Sequence, residues 1–287
     1  MLESKDAIQL FTSQAIQDIA RGDYSLLYKV VSDYLNLRFS SIKISEVFDL
    51  TLNKASHDYR NEYFYKNIVA NKIFLRKHSR QNATMLTEFR VGRSKADCVI
   101  LNGYSTCYEI KTEFDNLKRL PEQLSEYSQI FDRVNIISSC NHLDKIFELT
   151  PNYIGVIELT AKGALKEVRR AEDIKTTIDP AVMIQSLRRV EYVDIASEII
   201  GERVNVNNMD VFDHCMNIMK LEDSNKLRFL FRNALKKHRR VDYSLLERMP
   251  TSLVSSFISY KITPSHQKRL EEIMSNYITR EDLCISH

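Results

Sequence analysis

A short loop between two β-rich runs constrains the fold of this chain more than any other feature. Residues 95–101 and 105–111 are rich in β-branched, aromatic and other apolar side chains, and Asn102-Gly103 lies between them. An Asn-Gly pair between two such runs is the strongest short-range signal for a β-hairpin. Both faces of the two runs carry apolar residues, which is typical of strands covered on both sides. The sequence therefore predicts a hairpin in a central sheet between layers of helices.

The length of the loop decides which charged side chains share a face of the hairpin. If the loop comprises residues 102–104, Asp97 lies opposite Glu109, and Lys111 leaves the same face of the strand as Glu109. Directly opposed Cβ atoms are about 4.5–5.5 Å apart, so the two carboxylates repel each other unless a cation lies between them. A two-residue loop would put Asp97 and Glu109 on opposite faces, because a shift of one residue reverses every side chain. Composition leaves both registers open.

The first register places two acids and an amine at one point of the sheet, which predicts a metal-dependent hydrolytic site. The Glu109-x-Lys111 triplet is weak support by itself, because short motifs recur by chance. Glu3-Ser4-Lys5 has the same spacing in a predicted N-terminal helix, without a partner carboxylate. The surrounding sequence must therefore decide what the triplet means.

The surrounding sequence has the motif order of a nuclease superfamily. An acid on one strand, a hairpin, and Glu109-Ile110-Lys111 on the next strand resemble the PD-(D/E)XK superfamily. The helix that follows carries Gln123-x-x-x-Tyr127, which resembles the RecB-like branch of that superfamily. These motifs are more specific together than the triplet is alone.

The resemblance extends beyond these motifs. The string of residues 108–127, followed by Phe-Asp-Arg-Val at 131–134, is more similar still to a little-characterised bacterial family of the same superfamily. The similarity covers residues 58–159, about a third of the chain. Ala96 stands where the superfamily has proline, a position with no chemical role that we can name.

The resemblance implies a fold, a reaction and a set of site residues. The fold is α/β, with a restriction-endonuclease-like core in which helices flank a mixed central sheet. Asp97, Glu109 and the Ile110 carbonyl would hold Mg²⁺ or Mn²⁺, since hard cations prefer oxygen ligands. Lys111 would orient the attacking water or neutralise charge that develops at phosphorus. The reaction is metal-dependent hydrolysis of DNA phosphodiester bonds, in defence against foreign DNA or in repair.

Three residues of the following helix are candidates for substrate binding. Gln123 and Tyr127 lie four apart on one face, and Arg119 lies four before Gln123. In the resembled RecB-type enzymes, the Gln and Tyr of this motif lie beside the active site and help to hold DNA or an active-site water. The alternative is that Tyr127 packs in the core while Gln123 is exposed to solvent.

Two further acids have two interpretations each. Glu62 lies on a predicted helix before the sheet, where the resembled superfamily often places an acid that reaches the metal. A surface pair with Lys66, at i,i+4, is the alternative for Glu62. Glu88, in a strand predicted at 85–92, is either a further acid beside the metal or a charge at a strand edge.

The rest of the chain predicts helices on both sides of this core. We expect an N-terminal helical extension at 1–55, the nuclease-like core at 56–178 and a C-terminal helical region at 179–287. The densest basic run, Lys236–Arg240, either binds phosphates or ends a solvated helix.

Composition limits the cofactors and the compartment. A net charge of +3 is too small to indicate nucleic-acid binding by itself. The 5 cysteines include no Cys-x-x-Cys pair, which argues against a zinc ribbon or an iron–sulfur cluster. The first residues carry acids and precede no apolar run, so we expect no signal peptide and no membrane span. A cytoplasmic protein with reduced thiols is therefore predicted.

These patterns lead to two predictions of function. The first is a Mg²⁺- or Mn²⁺-dependent deoxyribonuclease whose partner is DNA, with RNA not excluded. The second is a catalytically idle nucleic-acid-binding or assembly module that uses the same core. A homodimer, or a partner protein bound through the C-terminal helices, is open in both cases.

Overall fold

A computed structural model of the protein describes residues 2–37, 40–77 and 83–285, without the side chains of residues 284 and 285. Contacts between Cα atoms divide the chain into two units, Met1–Arg76 with Asp242–His287, and Lys77–Val241. The domain boundaries expected from the sequence, after residues 55 and 178, fall inside these units. Local periodicity gives no sign that the two ends of the chain share a unit.

The helices are, in chain order, α1 (Ser4–Ala7), α2 (Ser13–Arg21), α3 (Ser25–Lys29), α4 (Ile44–Ala55), α5 (Glu62–Val69), α6 (Leu120–Ser128), α7 (Leu143–Leu149), α8 (Pro180–Ser186), α9 (Arg189–Ile200), α10 (Val211–Lys220), α11 (Ser224–His238), α12 (Tyr243–Arg248), α13 (Val254–Ser259), α14 (Pro264–Met274) and α15 (Arg280–Ile285). The strands are β1 (Ser41–Lys43), β2 (Thr84–Val91), β3 (Ser94–Leu101), β4 (Ser105–Lys111), β5 (Arg133–Ser138), β6 (Gly155–Leu159), β7 (Leu165–Arg169) and β8 (Tyr277–Thr279). Helices α3 and α5 continue into wider, π-helical turns at Val30–Leu35 and Ala70–Leu75, and short 3₁₀ helices occupy Ile8–Phe11, Cys140–His142 and Thr251–Leu253.

The first unit is helical and is closed by pairing between the two ends of the chain. Strand β1 pairs antiparallel with β8, with Ile42 opposite Ile278, and both side chains are buried. Helix α2 shows the local signals for its ends: Thr12 Oγ1 accepts a hydrogen bond from Ala15 N at 3.3 Å, and Gly22 ends the helix at φ 98°. The β1–β8 pairing joins the N-terminal and C-terminal segments, together with the packing of α14 on α2 and of α13 on α5.

The second unit is built on a mixed sheet. In the part of the chain that the structure describes, this sheet has six strands in the order β2-β3-β4-β5-β6-β7. Neighbours β2–β3, β3–β4 and β6–β7 are antiparallel, whereas β4–β5 and β5–β6 are parallel. Parallel neighbours need a crossover connection, and α6 and α7 lie in the two crossovers. A mixed central sheet flanked by helices, as the sequence predicts, is confirmed.

The central hairpin has the three-residue loop. Leu101 pairs with Ser105 and Val99 with Cys107, which is the register that puts Asp97 on the same face as Glu109. The loop closes by two hydrogen bonds, from Tyr104 N to Asn102 Oδ1 at 2.8 Å and from Asn102 N to Tyr104 O at 3.0 Å.

Helix α6 covers the sheet face on which the predicted site lies. The helix packs against β3 and β5. Leu124 and Tyr127 from α6 are buried in one core with Val99, Cys107 and Ile136 from the three central strands. The apolar stripe expected along this helix is therefore its contact with the sheet.

Helix α11 is tied to the sheet and to α9 by buried ion pairs. The buried Asp132 carboxylate lies 2.9 Å from Arg232 and 3.4 Å from Arg228. Arg239, from the basic run at the end of α11, makes two hydrogen bonds of 2.6 Å to Glu191, which is 0% exposed. Neither interpretation of that basic run is right for Arg239, because its charge neutralises a buried acid inside the unit.

Among the described residues, no helix combines the length and the apolar character needed to cross a lipid bilayer.

Candidate active site at the end of the central hairpin

Strand β4 carries Glu109 and Lys111 on one face, and both side chains are buried. Glu109 is 1% exposed and Lys111 is 8% exposed. Lys111 Nζ donates to Glu109 Oε1 at 2.8 Å. Residues two apart on a strand leave the same face, so the Glu109 carboxylate and the Lys111 ammonium lie side by side and attract each other directly.

Helix α6 completes the arrangement with Gln123 and Tyr127. Gln123 Nε2 donates to Glu109 Oε1 at 2.6 Å, and Tyr127 OH donates to Glu109 Oε2 at 2.9 Å. Lys111 Nζ also donates to Gln123 Oε1, at 2.9 Å. We call these four residues the Glu109 network. Both α6 side chains are buried, so the interpretation that Gln123 is exposed to solvent is wrong.

Asp97 joins the site from the neighbouring strand. The regular β3–β4 pairing ends at Cys98 opposite Tyr108, one step before Asp97 would face Glu109. Beyond this point Asp97 Oδ2 accepts a hydrogen bond of 2.7 Å from Ile110 N. Ile110 lies between Glu109 and Lys111, so the Asp97 carboxylate is held against the segment of β4 that carries these two residues of the network.

Burial dominates the electrostatics of the Glu109 network. Burial raises the pKa of Glu109, while the Lys111 ammonium and the donors Tyr127 and Gln123 act in the opposite direction. The pKa of the Tyr127 phenol is raised by burial first, and then by the charges of Glu109 and Asp97. Both carboxylates are therefore close enough to act on one phenol, and added positive charge here would favour ionised Glu109.

Glu88 has an unusual backbone conformation opposite Asp97. In the β2–β3 pairing, Thr87 faces Cys98 and Phe89 faces Ala96, which leaves Glu88 and Asp97 as the residues between. Glu88 has φ 55°, a left-handed conformation that costs an L-residue about 1–2 kcal/mol.

The Glu88 carboxylate shares its surroundings with a lysine and an acid. Lys95 Nζ lies 2.5 Å from Glu88 Oε2. A carboxylate oxygen of Glu88 also lies within 4.8 Å of one of Asp97. The contact with Lys95 supports the interpretation of Glu88 as a strand-edge charge. Glu88 also lies beside Asp97, and its role as an acid beside a metal stays a prediction.

Glu62 and Arg119 lie outside the Glu109 network. Glu62 begins α5 in the first unit, where Asn61 Oδ1 caps the helix by accepting from Phe64 N at 3.2 Å. Glu62 forms the i,i+4 ion pair with Lys66 that the sequence offered as the alternative. Arg119 is exposed at the start of α6. The metal-binding role of Glu62 and the substrate-binding role of Arg119 stay predictions.

The sequence reasoning missed the polar residues that fix the carboxyl end of β4. Asp115 Oδ2 accepts hydrogen bonds from Thr112 N at 2.8 Å and from Thr112 Oγ1 at 2.7 Å. Ser138 Oγ donates to Lys111 O at 2.9 Å, and His142 Nε2 lies 3.0 Å from Thr112 O. Thr112-x-x-Asp115 is a local turn signal that the sequence contains. The contacts of Ser138 and His142 depend on strand register and had no local signal.

Comparison with known proteins assigns the chain to a family. Residues 55–283 match the family described as bacteriophage P4 protein cII. The chain belongs to the bacteriophage P4 protein cII family. It is 31% identical over 85 residues to protein cII of Enterobacteria phage P4, a stretch that covers 29% of this chain and 32% of that protein. The chain thus matches about a third of the length of this curated relative.

A solved structure is also similar over part of its length. A protein of unknown function from Silicibacter pomeroyi is 20% identical and covers 37% of this chain and 72% of its own, with a TM-score of 0.28. The Glu109 network and Asp97 both lie inside the range that matches the cII family.

The oxygen atoms at this site of the cII-family chain are of the kind that bind a hard divalent cation. A carboxylate has about four acceptor positions. Glu109 uses two on Oε1, for Lys111 and Gln123, and one on Oε2, for Tyr127. Counting only partners among the described residues, Oε2 keeps a second acceptor position. Asp97, Glu88 and the Ile110 carbonyl offer further oxygens of the kind that Mg²⁺ and Mn²⁺ prefer.

Proposed function

We propose that this protein is a metal-dependent nuclease of the PD-(D/E)XK type, which hydrolyses DNA phosphodiester bonds with a restriction-endonuclease-like core. One observation carries the proposal. Glu109 and Lys111 are in contact on one strand, and Asp97 from the next strand bonds the N–H of the residue between them. Two acids and an amine thus converge on one segment of β4, residues 109–111: Glu109 and Lys111 belong to it, and Asp97 is bonded to it from β3.

In this proposal each residue of the site has a separate role in hydrolysis. Asp97, the remaining position on Glu109 and the Ile110 carbonyl would hold Mg²⁺ or Mn²⁺. Such a cation lowers the pKa of a bound water and polarises a phosphoryl oxygen. Lys111 supplies a compact ammonium that orients the attacking water or neutralises charge at phosphorus, as preorganised charges do in active sites.

Gln123 and Tyr127 serve as positioning residues in this proposal. The amide of Gln123 accepts from Lys111 and donates to Glu109, so it holds both groups at fixed separation. Tyr127 fixes the other oxygen of Glu109. A site held by four mutual contacts needs little rearrangement when charge develops.

A second function is favoured by the burial of the same residues. Glu109 is 1% exposed and accepts from three protein donors, which is also how a purely structural buried acid is satisfied. In that case the core is a catalytically idle module that binds nucleic acid or a partner protein. Its association with DNA would then continue without any cleavage.

Cleavage assays separate the two functions. Linear and circular DNA are incubated with Mg²⁺ or Mn²⁺, with and without chelator, and with wild type, Glu109→Gln and Lys111→Ala. The matched control is Glu3→Gln with Lys5→Ala, the same chemical changes at the same spacing in α1 and the residue before it. If the protein is a nuclease, wild type cleaves DNA, cleavage is lost with chelator and in both site variants, and the control variant still cleaves. DNA retention without cleavage under any metal supports the idle module.

A further inference from the structure

The loop that follows Lys111 presents an aromatic side chain to solvent next to the proposed site. The loop comprises residues 112–119 and joins β4 to α6, the two elements that carry the Glu109 network. Phe114 is 59% exposed, whereas Leu117 in the same loop is 5% exposed. Burying a phenylalanine gains about 1.5–3 kcal/mol. This loop therefore buries one apolar side chain and leaves a larger one at the surface.

The backbone around Phe114 is held in place. Thr112 is 3% exposed, and its N–H and hydroxyl both donate to Asp115 Oδ2. Asp115 N donates back to Thr112 O at 3.2 Å, and Phe114 N donates to Thr112 Oγ1 at 3.3 Å. His142 Nε2, from the short 3₁₀ helix that follows β5, lies 3.0 Å from the Thr112 carbonyl oxygen. The aromatic ring is thus carried by a fixed turn that starts one residue after Lys111.

Cations lie in the same loop. Lys118 and Arg119 are both exposed, and within the described part of the chain neither forms an ion pair. Of the two acids in the loop, Asp115 is engaged with Thr112, and Glu113 is exposed. A ligand at this loop therefore meets an aromatic side chain that is more than half exposed, two cations and the Glu113 carboxylate.

This combination is the one that proteins use to bind single-stranded nucleic acid. Aromatic side chains stack on unpaired bases for about 1–3 kcal/mol per base, and basic side chains follow the backbone. Bases inside a duplex are already stacked on their neighbours and cannot use a side chain in this way. Phe114 is three residues past Lys111, a reach of roughly 10 Å at most. A base stacked on Phe114 would thus belong to a nucleotide close to the scissile phosphate.

We infer that Phe114 is a stacking platform for an unpaired base and that Lys118 and Arg119 contact the adjoining phosphates, so that the preferred ligand is single-stranded DNA. The inference rests on the proposed function, because it takes the Glu109 network as the place where the strand is cut. It adds to that function a choice of substrate: strands, overhangs and frayed ends over intact duplex.

Binding without cleavage tests the inference separately from catalysis. Fluorescence anisotropy with chelator present measures the affinity for a labelled single strand of about 20 nucleotides, longer than common single-strand sites, and for the blunt duplex of the same sequence. Phe114→Ala is expected to weaken single-strand binding by about 5- to 150-fold, the equivalent of one lost base stack. Duplex binding should change by less than about twofold. Phe114→Trp should restore the affinity, and Phe114→Leu, which is apolar but has no flat face, should not.

Two controls make the result specific. Phe229→Ala removes another exposed aromatic, 52% exposed on α11, and should leave single-strand binding unchanged. Lys118→Ala with Arg119→Ala should weaken binding to both ligands and reduce the salt dependence, by about 0.7 in slope for each lost phosphate contact on a single strand.

Three outcomes would overturn the inference: no single-strand binding by wild type, an unchanged single-strand affinity in Phe114→Ala, or equal losses of single-strand and duplex affinity in Phe114→Ala. Because chelator is present throughout, a protein that never cleaves DNA can still confirm the stacking role of Phe114. Conversely, a protein that cleaves DNA while Phe114→Ala binds normally keeps the proposed function and loses this inference.

Discussion

The Asp97 carboxylate accepts a hydrogen bond of 2.7 Å from the backbone N–H of Ile110. This contact joins the acid of β3 to the strand segment that carries the other two groups of the proposed site. It occurs where the regular β3–β4 pairing ends. This structural contact and the proposed metal-binding role therefore fall on one side chain, and substitutions can separate them.

Asp97→Asn and Asp97→Leu are expected to differ in stability but agree in metal binding. Asparagine keeps an oxygen for Ile110 N, so the free energy of unfolding should change by less than about 1 kcal/mol. Leucine leaves that N–H unsatisfied, which costs about 1–3 kcal/mol when the group is buried. Both variants lose a charged oxygen ligand, so both should bind Mn²⁺ at least about tenfold more weakly. Urea unfolding and Mn²⁺ titration calorimetry measure the two effects. Mn²⁺ binding that survives in both variants would remove Asp97 from the metal site.

The Glu109–Lys111 pair should show strong coupling in a double-mutant cycle. Lys111→Met leaves a buried carboxylate without its cation, which is expected to reduce the free energy of unfolding by about 3–5 kcal/mol. Glu109→Gln leaves the ammonium with Gln123 alone and should also destabilise the protein. The double variant removes both charges and should be much closer to wild type than the sum of the two losses. Additive losses in urea unfolding would mean that the two groups do not depend on each other.

The fold of this region could be predicted because its signals are local. Asn102-Gly103 between two apolar runs gave the hairpin, and the faces of α6 follow from the spacing of Leu124 and Tyr127. The three-residue loop could not be chosen, because apolar residues on both faces of the strands fit either register. The sequence offered no means of seeing that Glu109 would be enclosed by three donors from two elements.

Long-range pairing limited the rest of the prediction. β1 and β8 are three residues each, too short for a periodic signal, yet their pairing helps to place the last helices with the first. Arg239 looked like part of a solvated basic run because its partner, Glu191, lies on a different helix. Charge patterns along the sequence show which residues are ionised but not which of them meet.

The pH dependence of stability should carry the signature of Glu109. Its pKa is raised in the native protein, chiefly by burial, so the native state binds this proton more tightly than the unfolded chain. The unfolded value is about 4.3. Stability from this group is therefore present below that pH and is lost as pH rises through the native pKa.

Comparison of wild type with Glu109→Gln isolates that contribution. Glutamine does not titrate, so the stability of wild type relative to the variant should decline as pH rises from about 4 toward neutrality. Saturating Mn²⁺ favours the ionised carboxylate and should reduce the decline. Urea unfolding over this range, with and without Mn²⁺, gives both curves. Parallel curves for the two proteins would show that burial does not perturb Glu109.

Two arginine–glutamate pairs of similar geometry should differ widely in their contribution to stability. Arg239 makes two bonds of 2.6 Å to Glu191, and their side chains are 15% and 0% exposed. Arg248 makes bonds of 2.9 and 3.1 Å to Glu271, and their side chains are 50% and 31% exposed.

Arg239→Ala leaves the buried Glu191 carboxylate without its cation, so we expect the free energy of unfolding to fall by about 3–5 kcal/mol. Arg248→Ala breaks an exposed pair that solvent screens, so we expect a much smaller loss than at Arg239. Chemical denaturation of both variants measures the two losses, and Glu191→Gln in the Arg239→Ala background should recover part of the larger one. Equal losses at the two sites, or no recovery, would show that burial of Glu191 does not set the strength of its pairing.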